Sequence, residues 1–426
     1  MKTKNEVQED AEASIDKLVP KLRFPEFRDA ENWEEKTLGS ISNAVFDGTH
    51  FTPEYVPSGV PFFSVENLIS GAANKFISRE AYISATMKNK PEKNDILLTR
   101  IGNIGFAKVI NWDYEFSIYV TLAVIKKSTI FNSYYLQFFI QSAWYQKEIQ
   151  SKSLLTAVPC KINMDSLRTT KVLLPSLPEQ QKIADCLSSL DSLIIAHNQK
   201  HDALKTHKKG LMQQLFPAEG EMVPSLRFPE FRDTEEWVPR VLETFITERN
   251  LSPTDKIPLY SLTIEDGVTP KTERYEREFL VKDVDNAYKV AFPNDFAYNP
   301  MNLRFGAIAK HSGDEIVALS KYYNIFYCDS SVSSRFCEVY FKSDFIMTHY
   351  DDIATGSLIE KRRVHFSAFI KLNICFPSLP EQQTIADCLS SLDNLITAQT
   401  QELETLRIHK KALMQQLFPM VEGSKE

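Results

Sequence analysis

The chain has 426 residues, 43% hydrophobic and 25% charged, with a formal net charge of −7. That composition suits a globular protein with two or more cores, and the acidic balance excludes one that coats nucleic acid by bulk charge while leaving room for a local basic face. No apolar run approaches the roughly 20 residues of a membrane span, and the first residues lack the apolar core of a secretion signal.

Residues 1–17 are polar and are expected to form a flexible tail. LVPKLRFPEFRDAENW follows (Leu18 to Trp33), and MVPSLRFPEFRDTEEW (Met222 to Trp237) repeats it. Two prolines and two phenylalanines in so short a span suit an extended anchor whose rings dock on a neighbour. Residues 34–173 then form a first block, with 15 Lys/Arg against 12 Asp/Glu. Here Ala107–Ile110 and Leu122–Ile125 read as strands, and Ser133–Ile149 as one helix packed on them. A second block, ending at 375, barely resembles the first; over 236–375 it carries 17 Lys/Arg against 20 Asp/Glu, and Phe345–Ala354 takes the place of the helix. Both blocks read as α+β, and neither has the basic signature of an autonomous nucleic-acid binder. Six cysteines form no CxxC pair, so reduced thiols and a cytoplasmic location are expected.

After each block comes a near-identical stretch. LPSLPEQQKIADCLSSLDSLIIAHNQKHDALKTHKKGLMQQLFP (174–217) and FPSLPEQQTIADCLSSLDNLITAQTQELETLRIHKKALMQQLFP (376–419) match at 31 of 44 positions. A repeat period near 200 residues signals a duplicated domain rather than a solenoid. Pro178 and Glu179 suit the first turn of a helix. Ile183, Leu187, Leu190, Ile194, His197, His201, Leu204, Lys208, Leu211 and Leu215 then follow alternating steps of four and three, as do Ile385, Leu389, Leu392, Ile396, Gln399, Leu403, Leu406, Lys410, Leu413 and Leu417. This is a coiled-coil seam over about five heptads. Matching lengths and seams predict that the two helices pair, antiparallel if the halves are related by a pseudo-twofold. His197 and Gln399 would then face one another and mark the register, and Pro419 would close the ring beside Leu18. Metal binding by His197 and His201 lacks a third ligand.

Unlike heads on like spacers make a bivalent ruler with two equivalent docking surfaces. On LPSLPEQQKIAD with FPSLPEQQTIAD, KKGLMQQLFP with KKALMQQLFP, LRFPEF before each block, and the internal segments NDILLTRIGNIG (94–105) and NDFAYNPMNLRFGAIA (294–309), the chain resembles the specificity subunit of type I restriction-modification enzymes. The resemblance implies an α+β fold of two target recognition domains separated by a long antiparallel two-helix coiled coil with internal pseudo-twofold symmetry. It gives a first recognition domain at 18–173, a spacer helix at 174–217, a second domain at 218–375, a second helix at 376–419 and a tail at 420–426. It further implies that each domain reads half of a split asymmetric site on double-stranded DNA. The coiled coil would set the gap and dock two modification (methyltransferase) subunits, with restriction subunits in the full complex. S-adenosylmethionine, ATP and Mg would then belong to those partners, and this subunit would have no catalysis of its own.

The sequence agrees in lacking a GxxxxGK[ST] phosphate loop. Asn299-Pro300-Met301-Asn302 only echoes the Asn-Pro-Pro-aromatic motif of adenine methyltransferases. Base reading needs bidentate donors and phosphate anchors. Candidates are Thr49, His50, Thr52 and Tyr55 in a turn-rich loop, and Arg100 and Asn103 after a strand. In the second block they are Lys271, Tyr298, Asn299, Asn302, Arg304, Lys310 and, in the basic run 360–363, Arg362. Arg100 and Arg304 are the first choices. The rival reading is a bivalent protein-binding adaptor that never touches DNA.

Overall fold

The structure, a computed structural model, describes residues 19–218, 221–254, 257–271, 287–358 and 361–419. Both expected tails and Leu18 lie outside them. The chain divides into two compact units. One joins the residues up to Asn198 with those from Gln401, and the other spans Gln199–Thr400. Each unit therefore holds one block and a part of each spacer helix.

The first unit's strands are β1 (Glu34–Thr37), β2 (Val45–Asp47), β3 (Tyr55–Val56), β4 (Val60–Phe63), β5 (Phe76–Ile77), β6 (Ile96–Thr99), β7 (Ala107–Val109), β8 (Ser117–Ile118), β9 (Leu122–Ile125) and β10 (Lys171–Leu174). They form a β1–β10 pair and two four-stranded sheets, β2–β9–β6–β7 and β3–β5–β4–β8. Side chains alternate across a strand, so the continuous apolar runs of β6 and β9 serve two cores. Ile96, Leu98, Ala123 and Ile125 face the helices of the main core, while Leu97, Leu122 and Val124 face Phe63 and Phe116. The single helix expected over Ser133–Ile149 is two, Ser133–Gln141 and Ala143–Ser151. Ser142 breaks it: its backbone is extended, and its hydroxyl caps the second helix by accepting from the Tyr145 N–H.

The second unit has β11 (Val238–Val241), β12 (Ile246–Arg249), β13 (Tyr260–Thr263), β14 (Gly267–Pro270), β15 (Tyr288–Ala291), β16 (Phe296–Tyr298), β17 (Ile308–Lys310), β18 (Val317–Ser320), β19 (Asn324–Cys328) and β20 (Asn373–Phe376). Its β11–β20 pair and β12–β19–β16–β17 sheet repeat the first unit's β1–β10 and β2–β9–β6–β7. The blocks that barely align in sequence share one frame. The shared Asn-Asp dipeptide shows why: Asn94 (φ 71°) and Asn294 (φ 69°) turn left-handed, a conformation asparagine tolerates. The next residue's carboxylate, Asp95 or Asp295, closes the turn on the N–H of Glu92 (2.8 Å) or Phe292 (2.9 Å). Each buried carboxylate also meets a cation, Lys126 at 2.7 Å or Arg249 at 2.6 Å.

The spacer helices are Leu177–Leu215 and Leu379–Leu417, 39 residues each. They pair antiparallel inside each unit. Lys410 meets Asp191 (2.5 Å) and Arg407 donates to the Asn198 side-chain carbonyl (3.3 Å) in the first, and Lys208 meets Asp393 (2.5 Å) in the second. The seam is buried at its ends, where Ile183, Leu187 and Leu417 join the first unit's core and Leu215, Ile385 and Leu389 the second's. Between those ends Leu190, Ile194, Leu204, Leu211, Leu392, Ile396, Leu406 and Leu413 are half-buried, as befits only two helices.

The anchor rings dock as expected: Phe24 and Phe228 are partly buried and pack against the cores of their units. Each anchor is also held by a bidentate ion pair to the start of a spacer helix, which the sequence alone does not reveal. Arg23 donates to Glu179 at 2.8 and 2.7 Å, and Arg227 to Glu381 at 2.9 and 2.6 Å. The indole N–H of Trp33 or Trp237 reaches the same carboxylate at 3.4 Å. Both glutamates are 1% exposed, so only a paired, hydrogen-bonded charge is tolerable there. The guanidinium of each arginine rises in pKa, mainly through its hydrogen bond to that glutamate. The anchors also meet the far helix ends, Leu22 N–H to Gln416 O (3.0 Å) and Leu226 N–H to Gln214 O (2.9 Å).

Candidate nucleic-acid interface

In the first block, β6 delivers Arg100 to a point between three loops. Its guanidinium donates to Asp47 (2.9 Å), to Val120 O (2.9 Å) and to Ile162 O (3.2 Å). Arg100 is 6% exposed. It does not stand free to read a base; it fastens the loops that surround it. Burial lowers its pKa and the Asp47 charge raises it again, in that order of size.

The loop after β2 is what Arg100 presents. Gly48 passes so close to the neighbouring strand that a Cβ there would lie 2.0 Å from Ile118 O. Thr49 donates its N–H to Ile118 O (3.1 Å) and accepts from the Val120 N–H (3.0 Å), His50 leans on Asp47 at 3.1 Å, and Thr52 lies 3.4 Å from the Tyr119 hydroxyl. His50, Thr52 and Tyr55 are exposed, and Phe51 between them is 86% exposed. Asn103 is exposed in the turn after Arg100, where Gly102 is left-handed (φ 83°). That turn is stitched to a loop the sequence did not single out, 153–161. Gly102 N–H donates to Cys160 O at 2.8 Å, and the loop exposes Leu154, Leu155, Val158 and Lys161.

The second block presents its candidates unevenly. Tyr298 is fully buried, with its hydroxyl donating to Val364 O at 3.3 Å and burial driving its phenol far upward, so it belongs to the core. Arg304 and Arg362 both converge on Asp351. Arg304 binds that carboxylate directly, while Arg362 donates to Asp351 O (2.9 Å) and Ala354 O (2.8 Å). Lys310 is turned to Glu338 at 3.3 Å, and Lys271 is half-buried at the end of β14. Asn299 accepts from the Met301 N–H (3.0 Å) and so shapes the turn that exposes Asn302. Phe305, beside Arg304, is 57% exposed, and Lys361 and Arg363 are exposed, Arg363 where it bridges to Thr355. That bridge sits where the first block has its Leu154–Lys161 bridge, since Val364 N–H bonds to Pro300 O as Ile162 N–H bonds to Arg100 O.

Five of the expected readers are therefore occupied within the protein: Arg100, Tyr298, Arg304, Lys310 and Arg362. The exposed set is His50, Thr52, Tyr55, Asn103 and Asn302. Phe305 and Lys161 are also exposed and were not among the expected readers. An isolated exposed aromatic or lysine carries no signal in a single sequence, whereas the chain reversal that exposes it appears only in three dimensions.

A model of the type I restriction modification DNA specificity domain family matches residues 30–206 and 311–407. The chain belongs to that family. The type I restriction enzyme MjaVIII specificity subunit of Methanocaldococcus jannaschii is 23% identical over 423 residues, covering 93% of each chain. A putative MjaX specificity subunit of the same organism is 25% identical over 421 residues, covering 91% of this chain and 93% of that one. The fold matches the crystal structure of the type I restriction-modification S subunit from M. genitalium, with a TM-score of 0.58 at 13% identity over 95% of this chain and all of the other. It also matches a chain from a structural study of type I R-M complex assembly and conformational transition, with a TM-score of 0.53 at 13% identity, covering 91% and 97%. The protein is a specificity subunit with DNA recognition domains. Among the described residues no helix is long and apolar enough to cross a membrane.

Proposed function

We propose that each recognition domain reads one half of a split, asymmetric site on double-stranded DNA, and that the spacer helices set the gap and dock two modification subunits. One observation supports the reading above others: a common strand order carries different loop chemistry in the two blocks. A shared frame with unlike exposed side chains is what two different half-sites require. In the first block the reading surface is the Thr49–Tyr55 loop with Asn103; in the second it is the turn bearing Asn302 and Phe305, with Lys361 and Arg363 suited to phosphates. Arg100, Arg304 and Arg362 act as positioning residues for those loops.

The adenine methylation chemistry, with its S-adenosylmethionine, and the ATP- and Mg-dependent restriction chemistry belong to the partner subunits in this reading, within the cytoplasm. This chain supplies position and sequence choice. The test is to map methylated adenines on genomic DNA treated with the reconstituted complex. A two-part motif with one methylated adenine per half is expected, and a single continuous motif rules the reading out.

A further inference from the structure

The C-terminal half of each spacer repeat borders a basic groove, and the reading of DNA uses neither. In the second unit, the C-terminal half of the first spacer helix and the start of helix Asp344–Ile353 enclose a groove of about 560 Å³. Lys205, Lys208, Lys209 and Lys342 line it against a single acid, Asp344, and Met212 and Phe216 add apolar surface. In the first unit, the C-terminal half of the second spacer helix and the start of helix Ala143–Ser151 enclose a groove of about 500 Å³, lined by Arg407, Lys410 and Lys411 against Asp191, with Met414. Arg407, Lys410, Lys411 and Met414 are the repeat counterparts of Lys205, Lys208, Lys209 and Met212. The capping serines Ser343 and Ser142 occupy matching places, so a helix N-terminus points into each groove with its partial positive charge.

Part of this charge is already matched. Lys208 and Lys410 are held by Asp393 and Asp191. Lys205, Lys209 and Lys411 are exposed and meet no carboxylate among the described residues. A lysine row is usually a solvated face. Here it borders a cavity with apolar surface and a helix N-terminus, on a chain whose overall charge is −7. An anionic group carried on an apolar body fits such a groove. A phosphodiester backbone offers only the small C–H edge of its sugars to bury, whereas an aspartate or glutamate flanked by a leucine or phenylalanine offers a whole apolar side chain. The spacer-helix residues lining the two grooves correspond position by position, beside blocks that differ, and call for a similar ligand twice.

We propose that each groove receives an acidic side chain and its apolar neighbour from one copy of the modification subunit, so that two copies seat at equivalent places. This rests on the reading that the spacer repeats dock those subunits. The test is native mass spectrometry of the full chain with the modification subunit, counting bound copies at a concentration that saturates the unaltered chain. Lys209→Glu or Lys411→Glu alone is expected to leave one copy bound. The double variant should lose both, through a drop of at least roughly tenfold in affinity per site, with unchanged thermal unfolding because both lysines are exposed. Two copies retained by the double variant overturn the proposal. Leu193→Asp with Leu395→Asp, on exposed repeat-equivalent positions of the helices, separates the causes. If that pair abolishes binding while the lysine variants keep two copies, docking uses the outer helix face and only the groove assignment fails. If neither set changes the count, the docking reading fails with it. If the lysine variants keep two copies but lose DNA affinity in the assembled complex, the grooves hold phosphate and the proposal is likewise overturned.

Discussion

The two recognition blocks share their central strand order, their left-handed Asn-Asp turn and the Arg–Glu–Trp clasp at their base, yet almost nothing of their exposed loops. In the first block a buried arginine gathers three loops around an exposed Phe51; in the second, Asp351 gathers two arginines beneath an exposed Asn302 and Phe305. Same frame, different fastening. The difference separates the residues that keep a domain folded from those free to vary with the DNA it reads.

The clasp is where the halves should behave alike, and where the largest effect lies. Glu179→Ala and Glu381→Ala each strand a buried guanidinium, at an expected cost of about 3–5 kcal/mol. Denaturant unfolding should register similar losses for both, and a large loss in only one would break the equivalence. Arg100→Ala comes next. It frees Asp47 and two carbonyls in the first block, with an expected cost of about 2–3 kcal/mol. Methylation should fall with stability rather than at constant stability; an unchanged melting curve with lost DNA recognition would return Arg100 to the role of base reader.

Exposed loop residues should show the opposite pattern. Asn302→Ala is expected to leave unfolding within about 0.5 kcal/mol while relaxing discrimination at its own half-site by about 1–3 kcal/mol. Competition binding to DNA substituted in one half at a time reads this directly, and equal effects on both halves would argue against separate readers. The smallest effect belongs to Tyr298→Phe. It deletes one buried hydrogen bond to Val364, for about 1 kcal/mol of stability, and should leave DNA selectivity as it was. A selectivity change there would mean the core placement misses a contact.

Much of the frame was legible because repetition is visible without structure. The 31 identities of the spacer repeat give helix, length and pairing, and the structure places both helices within three residues of expectation. The site was less legible. Arg100 and Arg304 carry the chemistry of base readers, but residue type does not reveal whether a guanidinium already has partners. Asp47 and Asp351, which provide them, lie 53 and 47 residues away in sequence. The Ser142 break was missed because a serine amid apolar residues is compatible with a continuing helix; its capping bond to Tyr145 decides otherwise.

The central claim is that each block reads its own half-site independently on a common spacer. The most direct measurement replaces residues 34–173 with the corresponding block of another specificity subunit and maps the adenines methylated by the reconstituted complex. The account predicts a split motif in which one half changes and the other half, with the gap, stays the same. A change in both halves, or a motif without a gap, would contradict it.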